Sequence, residues 1–252
     1  MVYFVGAGSG APDLITLRGD RLLREADVII YAGSLVNPAL LESAKKGCEI
    51  YNSALMTLEE VVAVMERAHA AKQMTVRLHT GDPSLYGAIR EQIVRLDALH
   101  IPWEVVPGVS SFLGAAAALG AEYTLPGISQ TLILTRMEGR TPVPEGEKMA
   151  SLAAHGASMA VFLSTGLLEQ LEAQLLQGAY TAETPAAIVY KATWPEEKVL
   201  RCRVGTLAQT AREQGVTKTA LILVGDFLEE EGDRSCLYHP EFTTEFREGT
   251  KA

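Results

Sequence analysis

Three short glycine-containing loops carry most of the side chains that could bind a ligand. They are Gly6-Ala7-Gly8-Ser9-Gly10, Thr80-Gly81-Asp82-Pro83 and Pro107-Gly108-Val109-Ser110-Ser111. Each follows a short segment that is predicted to be a strand, at 2–5, 75–79 and 103–106. Glycine lets the main chain approach a ligand closely, and Asp82 can accept hydrogen bonds from hydroxyl or amino groups. Asp82 and the two serines also fit a purely structural role, as caps of the helices that follow.

The first loop formally matches the dinucleotide fingerprint Gly-x-Gly-x-x-Ala. Its context differs from that fingerprint, because Pro12-Asp13 stands where the phosphate-binding helix should already run. No acidic residue ends the second predicted strand, where a ribose-binding carboxylate is expected. An NAD-dependent oxidoreductase is therefore an alternative that rests on this loop alone, and a non-catalytic small-molecule sensor is another.

Cationic side chains offer a second kind of chemistry. Arg136 and Arg140 flank Gly139 after a predicted strand, and paired arginines can hold carboxylates through two hydrogen bonds each. The five histidines show no metal-ligand spacing, and His79 precedes the second glycine loop, where it could contact a ligand or simply pack. The sequence shows neither a nucleophile elbow nor a phosphate-binding Walker loop. We therefore assign no catalytic nucleophile and no metal ligand.

The elements that must position these loops alternate between strand and helix, which predicts an α/β fold with a mainly parallel N-terminal sheet. The second half restarts the alternation, and its Trp-Pro hairpin predicts a mixed sheet with antiparallel character. Strands are predicted at 2–5, 28–31, 75–79, 103–106, 131–135, 159–163, 186–190, 198–203 and 219–224. Helices are predicted at 16–26, from 38, from 57, 84–98, 109–119, 167–177 and 207–214. The predicted domains are 1–121 and 130–228, with a linker at 122–129 and an extended tail at 229–252.

Composition excludes several classes of protein. The chain has 252 residues, of which 48% are hydrophobic and 21% charged, so a folded domain is expected rather than disorder. The formal net charge of −9 argues against nucleic-acid or anionic-lipid partners. No apolar run approaches the roughly 20 residues of a membrane span, and no secretory signal is apparent. Three scattered cysteines form no disulfide framework, so a cytoplasmic location is expected.

The loops and their neighbours together resemble a known family. VGAGSGAPDLITLRG at 5–19, RLHTGDPSLYG at 77–87 and PGVSS at 107–111, in this order, resemble the tetrapyrrole methylases. These are the class III methyltransferases, which use S-adenosyl-L-methionine, and the resemblance extends over nearly the whole chain. Two departures are that Ser9 replaces the usual proline and that Thr80 precedes Gly81 where a Gly-Gly pair is usual.

Three further stretches narrow the resemblance within the family. YAGSLVNP at 31–38, TLILTRMEGRTPVP at 131–144 and SCLYHPEFTTEFR at 235–247 resemble the members that act on precorrin-4. The implied activity is methylation at C11 of precorrin-4 or cobalt-precorrin-4 in cobalamin (vitamin B12) biosynthesis. Methylation at another ring position of the same pathway is the alternative within the family.

The resemblance also implies a site. The expected protein is a homodimer, and each chain has two α/β domains with the methyl donor in the cleft between them. The cofactor-binding residues implied by motif position are Ser9, Thr80, Gly81, Asp82, Leu85, Ser110, Ser111, Leu163, Ser164, Ala192, Thr219 and Ala220. The substrate-binding residues are expected to be Gly8, Arg18, His79, Arg136 and Arg140, with Arg90 as a further candidate.

The implied chemistry is direct transfer of a methyl group from a sulfonium to an electron-rich ring carbon. The donor is already activated, so no protein nucleophile is needed. The protein must instead align methyl, sulfur and carbon and exclude water, which contributes about 7–11 kcal/mol in well-oriented systems. The arginines are expected to hold the carboxylates of the tetrapyrrole.

Overall fold

The computed structural model describes residues 1–229 and 231–250, except for the side chain of Ser34. The chain forms two compact units. The first contains residues 1–115 together with 191–197, and the second contains residues 116–190 together with the chain from 198 onward. Positions 230, 251 and 252 of the tail predicted at 229–252 lie outside the described residues.

The first unit is built on a five-stranded parallel sheet of order β3-β2-β4-β1-β5. Its strands are β1 (Val2–Gly6), β2 (Val28–Tyr31), β3 (Glu49–Asn52), β4 (Thr75–His79) and β5 (Trp103–Val106). Its helices are α1 (Leu17–Glu25), α2 (Leu58–Ala70), α3 (Ile89–Ala98) and α4 (Ser111–Leu119), the last of which continues into the second unit. The predicted parallel sheet is confirmed, whereas β3 was not predicted because its sequence, EIYN, is half polar.

Both faces of this sheet are covered by helices, which explains the nearly continuous apolar strands. Leu22 and Leu23 of α1 pack on one face. Met65 of α2 and Leu96 of α3 pack on the other face, beside Phe4. Local signals fix where the helices begin: the predicted cap at the start of α1 and the predicted capping box of α2 are both present.

Helix α3 begins five residues later than predicted. The sequence predicts a helix from Ser84, but in the structure the helix begins at Ile89. Tyr86 and Ala88 adopt left-handed φ angles of 57° and 50°, which a helix cannot accommodate. A Cβ atom on Gly87 would lie 2.2 Å from the carbonyl oxygen of Pro83. The residues after Asp82 therefore form a tight loop instead of a first helical turn.

The second unit contains a five-stranded mixed sheet of order β6-β7-β10-β8-β9. Its strands are β6 (Leu132–Arg136), β7 (Ser158–Phe162), β8 (Pro185–Tyr190), β9 (Lys198–Arg203) and β10 (Ala220–Val224). Its helices are α5 (Met149–Ala153), α6 (Leu168–Leu175) and α7 (Leu207–Glu213). Only β6 and β7 pair in parallel, so the predicted mixed sheet and the antiparallel β8–β9 hairpin are confirmed. Met159, Ile188, Leu171 and Leu207 lie in its core.

The C-terminal segment folds on itself through one side chain. The guanidinium of Arg247 donates to the carbonyl oxygens of Leu237, His239 and Phe242. In the described part of the chain, no helix has both the length and the apolar character needed to cross a membrane.

Candidate functional site

Three glycines meet where β1, β4 and β5 end. A Cβ atom on Gly108 would lie 2.1 Å from the carbonyl oxygen of Gly81 and 2.7 Å from Cα of Gly6. A Cβ atom on Gly6 would lie 2.5 Å from Cα of Gly108. Side chains do not approach main-chain atoms this closely, so only glycine fits at these positions. We call Gly6, Gly81 and Gly108 the glycine junction.

The junction lies at the place where an open α/β sheet binds its ligands. The connection from β1 runs through α1 on one face, and the connection from β4 runs through α3 on the other. The loops after these adjacent strands pair, since the N–H of Gly81 donates to the carbonyl of Gly8 at 2.9 Å. Where the connections from two adjacent strands run on opposite faces of the sheet, a crevice opens at the carboxyl ends of those strands. We call this place the switch point. Positive φ angles at Gly8 and Gly81, 83° and 62°, permit the turn.

Asp82 binds the second loop to the third. Its Oδ1 accepts hydrogen bonds from the N–H and hydroxyl of Ser84, and its Oδ2 accepts one from the N–H of Gly108 at 2.8 Å. Burial raises the pKa of Asp82, but the bonds from Ser84 and Gly108 outweigh it and the net pKa is lowered. Within the described residues these bonds use three of roughly four lone-pair sites of the carboxylate, so little acceptor capacity remains for a ligand.

Two buried polar atoms beside Asp82 have no partner. Nε2 of His79 and Oγ1 of Thr80 form no hydrogen bond to any other described residue, although both atoms are fully buried. Buried polar groups are nearly always paired, so an unpaired one requires an explanation such as a missing ligand. Burial, and then the positive charge of Arg77, lower the pKa of His79 to about 3. His79 is therefore a neutral hydrogen-bonding group at physiological pH.

Arg77, whose positive charge acts on His79, is buried inside the first unit. Its Nε donates to Oε1 of Gln92 and its Nη1 donates to the carbonyl of Ile30, both at 3.1 Å. Burial lowers the pKa of Arg77 to about 10. Gln92 in turn donates to the carbonyl of Ala88, so the same chain of bonds supports the strained segment before α3.

The structure brings the predicted first-unit residues around the junction, and it gives the serines specific roles. Ser110 is buried, its carbonyl accepts from the N–H groups of Leu113 and Gly114, and its Cα would lie 3.3 Å from a Cβ on Gly81. Ser111 is the first residue of α4. Leu85 closes the turn after Asp82 through its N–H.

Ser9 does not present its hydroxyl to solvent. The residue is only 5% exposed, and its Oγ is hydrogen-bonded to Oγ1 of Thr193 at 3.1 Å. Sequence reasoning missed Thr193, as well as Asn37, whose Nδ2 donates to the carbonyl of Gly10 at 2.9 Å. Ala192, a predicted cofactor residue, is also buried, and its carbonyl lies beside Gly10. An asparagine before Pro38 in the YAGSLVNP stretch was the available signal for Asn37, and nothing in the sequence indicates Thr193.

The two first-unit arginines expected to bind substrate, Arg18 and Arg90, lie at the surface. Arg18, in the first turn of α1, is paired with Glu104 at 3.3 Å, and its side chain is 60% exposed. Arg90 is exposed on α3. The dinucleotide interpretation fails on the same segment, because Pro12–Leu14 form a short 3-10 turn and α1 begins only at Leu17. That fingerprint requires an α-helix to begin directly after its glycines, and α1 does not.

In the second unit, the predicted residues meet at the end of β7. Ser164 is completely buried; its hydroxyl donates to the carbonyl of Phe162 at 2.6 Å and accepts the N–H of Met137 at 2.8 Å. Thr165 donates to the carbonyl of Ala220 at 3.2 Å, so the end of β7 lies beside the start of β10. Leu163 and Thr219 have positive φ angles of 52° and 58°, and Leu163 is 67% exposed. Strained backbone of this kind collects at functional sites.

Arg136 organises its own loop. Its Nη1 donates to the carbonyls of Met137 and Thr141, and its Nη2 donates to that of Pro142 at 2.8 Å. Within residues 1–229 and 231–250, these bonds leave its Nε and one Nη2 hydrogen without an acceptor, and that edge matches a carboxylate. Arg140, in the same loop, is exposed.

Comparison with known proteins identifies the family. The family model described as tetrapyrrole (corrin/porphyrin) methylases matches residues 1–208. The cobalt-precorrin-4 C(11)-methyltransferase of Methanocaldococcus jannaschii is 50% identical over 251 residues, covering 99% of this chain and 97% of the relative. The X-ray structure of a cobalamin biosynthetic enzyme, cobalt precorrin-4 methyltransferase, superposes with a TM-score of 0.89 at 47% identity, covering 91% of this chain and 96% of the other.

A more distant solved structure is informative about the ligand. The uroporphyrin-III C-methyl transferase of Thermus thermophilus, complexed with S-adenosylhomocysteine, has a TM-score of 0.73 and 28% identity, covering 90% of this chain and 93% of the other. The family resemblance noted in the glycine loops is thus confirmed over most of the chain. This chain belongs to the tetrapyrrole (corrin/porphyrin) methylase family.

Proposed function

We propose that this protein transfers a methyl group from S-adenosyl-L-methionine to C11 of precorrin-4 or cobalt-precorrin-4 in cobalamin biosynthesis. The observation that carries the proposal is the nearly end-to-end match, at half identity, to a relative named for that reaction. The match covers 99% of this chain, so it spans all three glycine loops and the loop of Arg136. The dinucleotide alternative loses its support because a 3-10 turn, and not the start of α1, follows the first glycine loop.

The first unit has groups that fit the methyl donor. The ribose hydroxyls and the amino groups of S-adenosylmethionine require acceptors, while its carboxylate requires donors. Unpaired buried atoms of His79 and Thr80 lie next to Asp82, at the carboxyl ends of the central strands. A buried polar atom without a partner costs about 1–3 kcal/mol, which a bound polar ligand can recover. In the second unit, the residues that we propose for cofactor binding, as their motif positions imply, are Leu163, Ser164, Thr219 and Ala220.

When bound, the donor supplies a methyl group on a positively charged sulfur, so the chain needs no nucleophile of its own. What the chain supplies is a rigid frame. The glycine junction and the carboxylate of Asp82 hold two loops at fixed separation, and such positioning lowers the barrier without any change of charge on the protein. His79 is neutral and buried, so it contributes a hydrogen bond and not a stored proton.

Exposed apolar side chains support a large, partly apolar substrate. Each of the five parallel strands is followed by one, and the five are Leu17, Leu35, Leu55, Tyr86 and Leu113. The carboxyl ends of parallel strands lie on one edge of a sheet, so the segments that carry these side chains leave the sheet at that edge. Large exposed apolar groups are typical of binding surfaces, and we assign these five side chains to contact with the tetrapyrrole ring.

The carboxylates of the tetrapyrrole need cationic partners. We assign them to Arg18, to Arg140 and to the open edge of Arg136, where Nε and one Nη2 hydrogen form a fork. We further propose that the enzyme works in the cytoplasm as a homodimer. The dimer is tested by the mass of the purified protein from light scattering during gel filtration.

Calorimetry tests the cofactor directly. Purified protein is titrated with S-adenosylhomocysteine, and with NADH as the control. Binding of the first compound and not of the second supports the proposal. Binding of NADH alone would favour an oxidoreductase. If a folded protein bound neither, the titration would be repeated with a tetrapyrrole present, and continued absence of binding would overturn the cofactor assignment.

A further inference from the structure

The first glycine loop is held from outside by a segment distant in sequence. Oγ1 of Thr193 accepts the N–H of Ala11 at 2.9 Å and is hydrogen-bonded to Oγ of Ser9 at 3.1 Å. These residues lie 182 and 184 positions apart but in the same compact unit. The indole of Trp194 fills the space beside Gly10, where a Cβ atom would lie 2.2 Å from Cδ1 of the ring. One short segment thus contacts the loop on three successive residues.

The segment that contacts the first glycine loop, residues 191–197, has a strained main chain. Thr193 has a φ angle of 68° and Lys191 one of 47°. A β-branched residue rarely adopts a positive φ angle, because its side chain crowds the main chain. The conformation is fixed by Glu197, whose Oε2 accepts the N–H of Thr193 at 2.6 Å, and by the N–H of Trp194, which donates to the carbonyl of Lys191. Strain of this kind persists where the surrounding structure imposes it, and it often marks a functional site.

The loop so held is one side of the crevice. Residues 8–11 follow β1 at the switch point and pair with Gly81 of the neighbouring loop. Asn37, in the connection after β2, holds the same loop by donating to the carbonyl of Gly10. Ser9 packs against α4, where a Cβ atom on Gly114 would lie 2.7 Å from the Cβ of Ser9. Besides Thr193, Asn37 and Gly81 hold residues 8–11 through hydrogen bonds.

We propose that Thr193 is a positioning residue, whose hydroxyl fixes residues 8–11 in the shape that receives the tetrapyrrole. The identity of the ligand rests on the proposed function, whereas the hydrogen bonds from Thr193 to Ser9 and Ala11 do not depend on it. Thr193 does not touch the reacting atoms in this account. It acts through the N–H of Ala11 and the hydroxyl of Ser9.

The matched variants are Thr193→Val, which removes the hydroxyl and keeps the branched shape, and Thr193→Ser, which keeps the hydroxyl. Hydrogen–deuterium exchange on the ligand-free protein measures how strongly Thr193 protects the amide of Ala11. In Thr193→Val the amide of Ala11 is expected to exchange roughly fivefold faster, as loss of one ordinary hydrogen bond predicts. Thr193→Ser is expected to exchange like the wild type. Unchanged exchange in Thr193→Val would overturn the proposal.

Steady-state kinetics measure how loss of the Thr193 hydroxyl affects substrate binding. With cobalt-precorrin-4, Thr193→Val is expected to raise KM several-fold with little change in kcat, and Thr193→Ser is expected to restore KM. Faster exchange with an unchanged KM would refute the positioning role. If Thr193→Val does not fold, Thr193→Ala, which also lacks the hydroxyl, is judged by the same two readings. A wild-type protein that protects Ala11 but transfers no methyl group would instead refute the proposed function.

Discussion

The glycine junction of the first unit and the Arg136 loop of the second, residues 137–144, are held in opposite ways. In the junction, main chain packs on main chain with no room for a Cβ atom, and the polar groups around it are buried. The Arg136 loop is mostly exposed, and one guanidinium binds three of its carbonyls. Substitutions at the junction should therefore mainly lower the free energy of unfolding, whereas substitutions in the Arg136 loop should mainly weaken ligand binding.

Replacing one glycine in each region is the strongest way to test this contrast. Gly108→Ala would place a Cβ atom 2.1 Å from the carbonyl oxygen of Gly81, whereas a Cβ atom on Gly139 would meet only Cδ1 of Leu167 at 3.4 Å. We expect Gly108→Ala to lower the free energy of unfolding by about 3 kcal/mol or more, because main chain must move. Gly139→Ala should change it by no more than about 0.5 kcal/mol. Urea unfolding measures both, and equal effects would contradict the comparison.

Buried His79 makes the stability of the junction depend on pH. Its pKa is about 3 in the folded protein, below the ordinary value of 6.5, so the unfolded chain binds the proton more readily. The folded protein therefore loses stability as pH falls below the unfolded value, by roughly 2 kcal/mol between about pH 7 and pH 5. His79→Gln should remove this part of the pH dependence. His155→Gln, at an exposed position of the second unit, controls for loss of an imidazole.

Unfolding by urea at several pH values separates the two histidine variants. The difference in unfolding free energy between wild type and His79→Gln should shrink as the pH falls, because only the wild type carries the penalty. A difference that stays constant from about pH 7 to pH 5 would mean that His79 binds a proton as readily in the folded protein as in the unfolded chain.

Asp82→Asn should affect stability and cofactor binding together. The amide keeps one oxygen acceptor, so either the bonds from Ser84 or the bond from Gly108 is lost. We expect a loss of about 1–2 kcal/mol in unfolding free energy, and weaker binding of S-adenosylhomocysteine in calorimetry. The pKa of Asp82 is lowered on folding, so its contribution is present at neutral pH and lost as the pH falls through the folded value. Wild-type cofactor affinity in this variant would count against the assignment of Asp82.

Arg136→Gln should show the smallest effect on stability and a clear effect on substrate. Its carbonyl partners lie in an exposed loop where water can replace the guanidinium, so unfolding free energy should change by less than about 1 kcal/mol. KM for cobalt-precorrin-4 should rise about tenfold, as loss of a charged hydrogen bond predicts. Arg67→Gln, on α2, is the surface control. If KM were unchanged in both Arg136→Gln and Arg140→Gln, these arginines would not bind substrate.

The features of the fold that were predicted correctly depend on local sequence patterns. The strands before the glycine loops, the cap at Thr16 and the capping box at Thr57 all depend on neighbouring residues, and the structure contains them. Strand β3 was missed because edge position rather than apolar pattern defines it. The start of α3 was misplaced because left-handed Tyr86 and Ala88 carry no sequence signal.

The site was less predictable than the fold because its supports are distant in the chain. Ser9 was expected to contact the cofactor, yet its hydroxyl pairs with Thr193, 184 residues away. Arg136 was expected to bind carboxylates, and the structure adds three carbonyl partners that depend on the path of the loop. Motif and strand order predicted which loops carry the proposed site residues, whereas the hydrogen bonds that hold these loops are visible only in the folded chain.

The central claim is methyl transfer to one ring carbon, and labelling tests it most directly. Purified protein is incubated with cobalt-precorrin-4 and S-adenosylmethionine carrying an isotopically labelled methyl group, and the product is analysed by mass spectrometry and NMR. The account predicts one labelled methyl group per macrocycle, attached at C11. A labelled methyl group at another ring carbon would contradict the assigned position, and an unlabelled macrocycle recovered from folded protein would contradict the function itself.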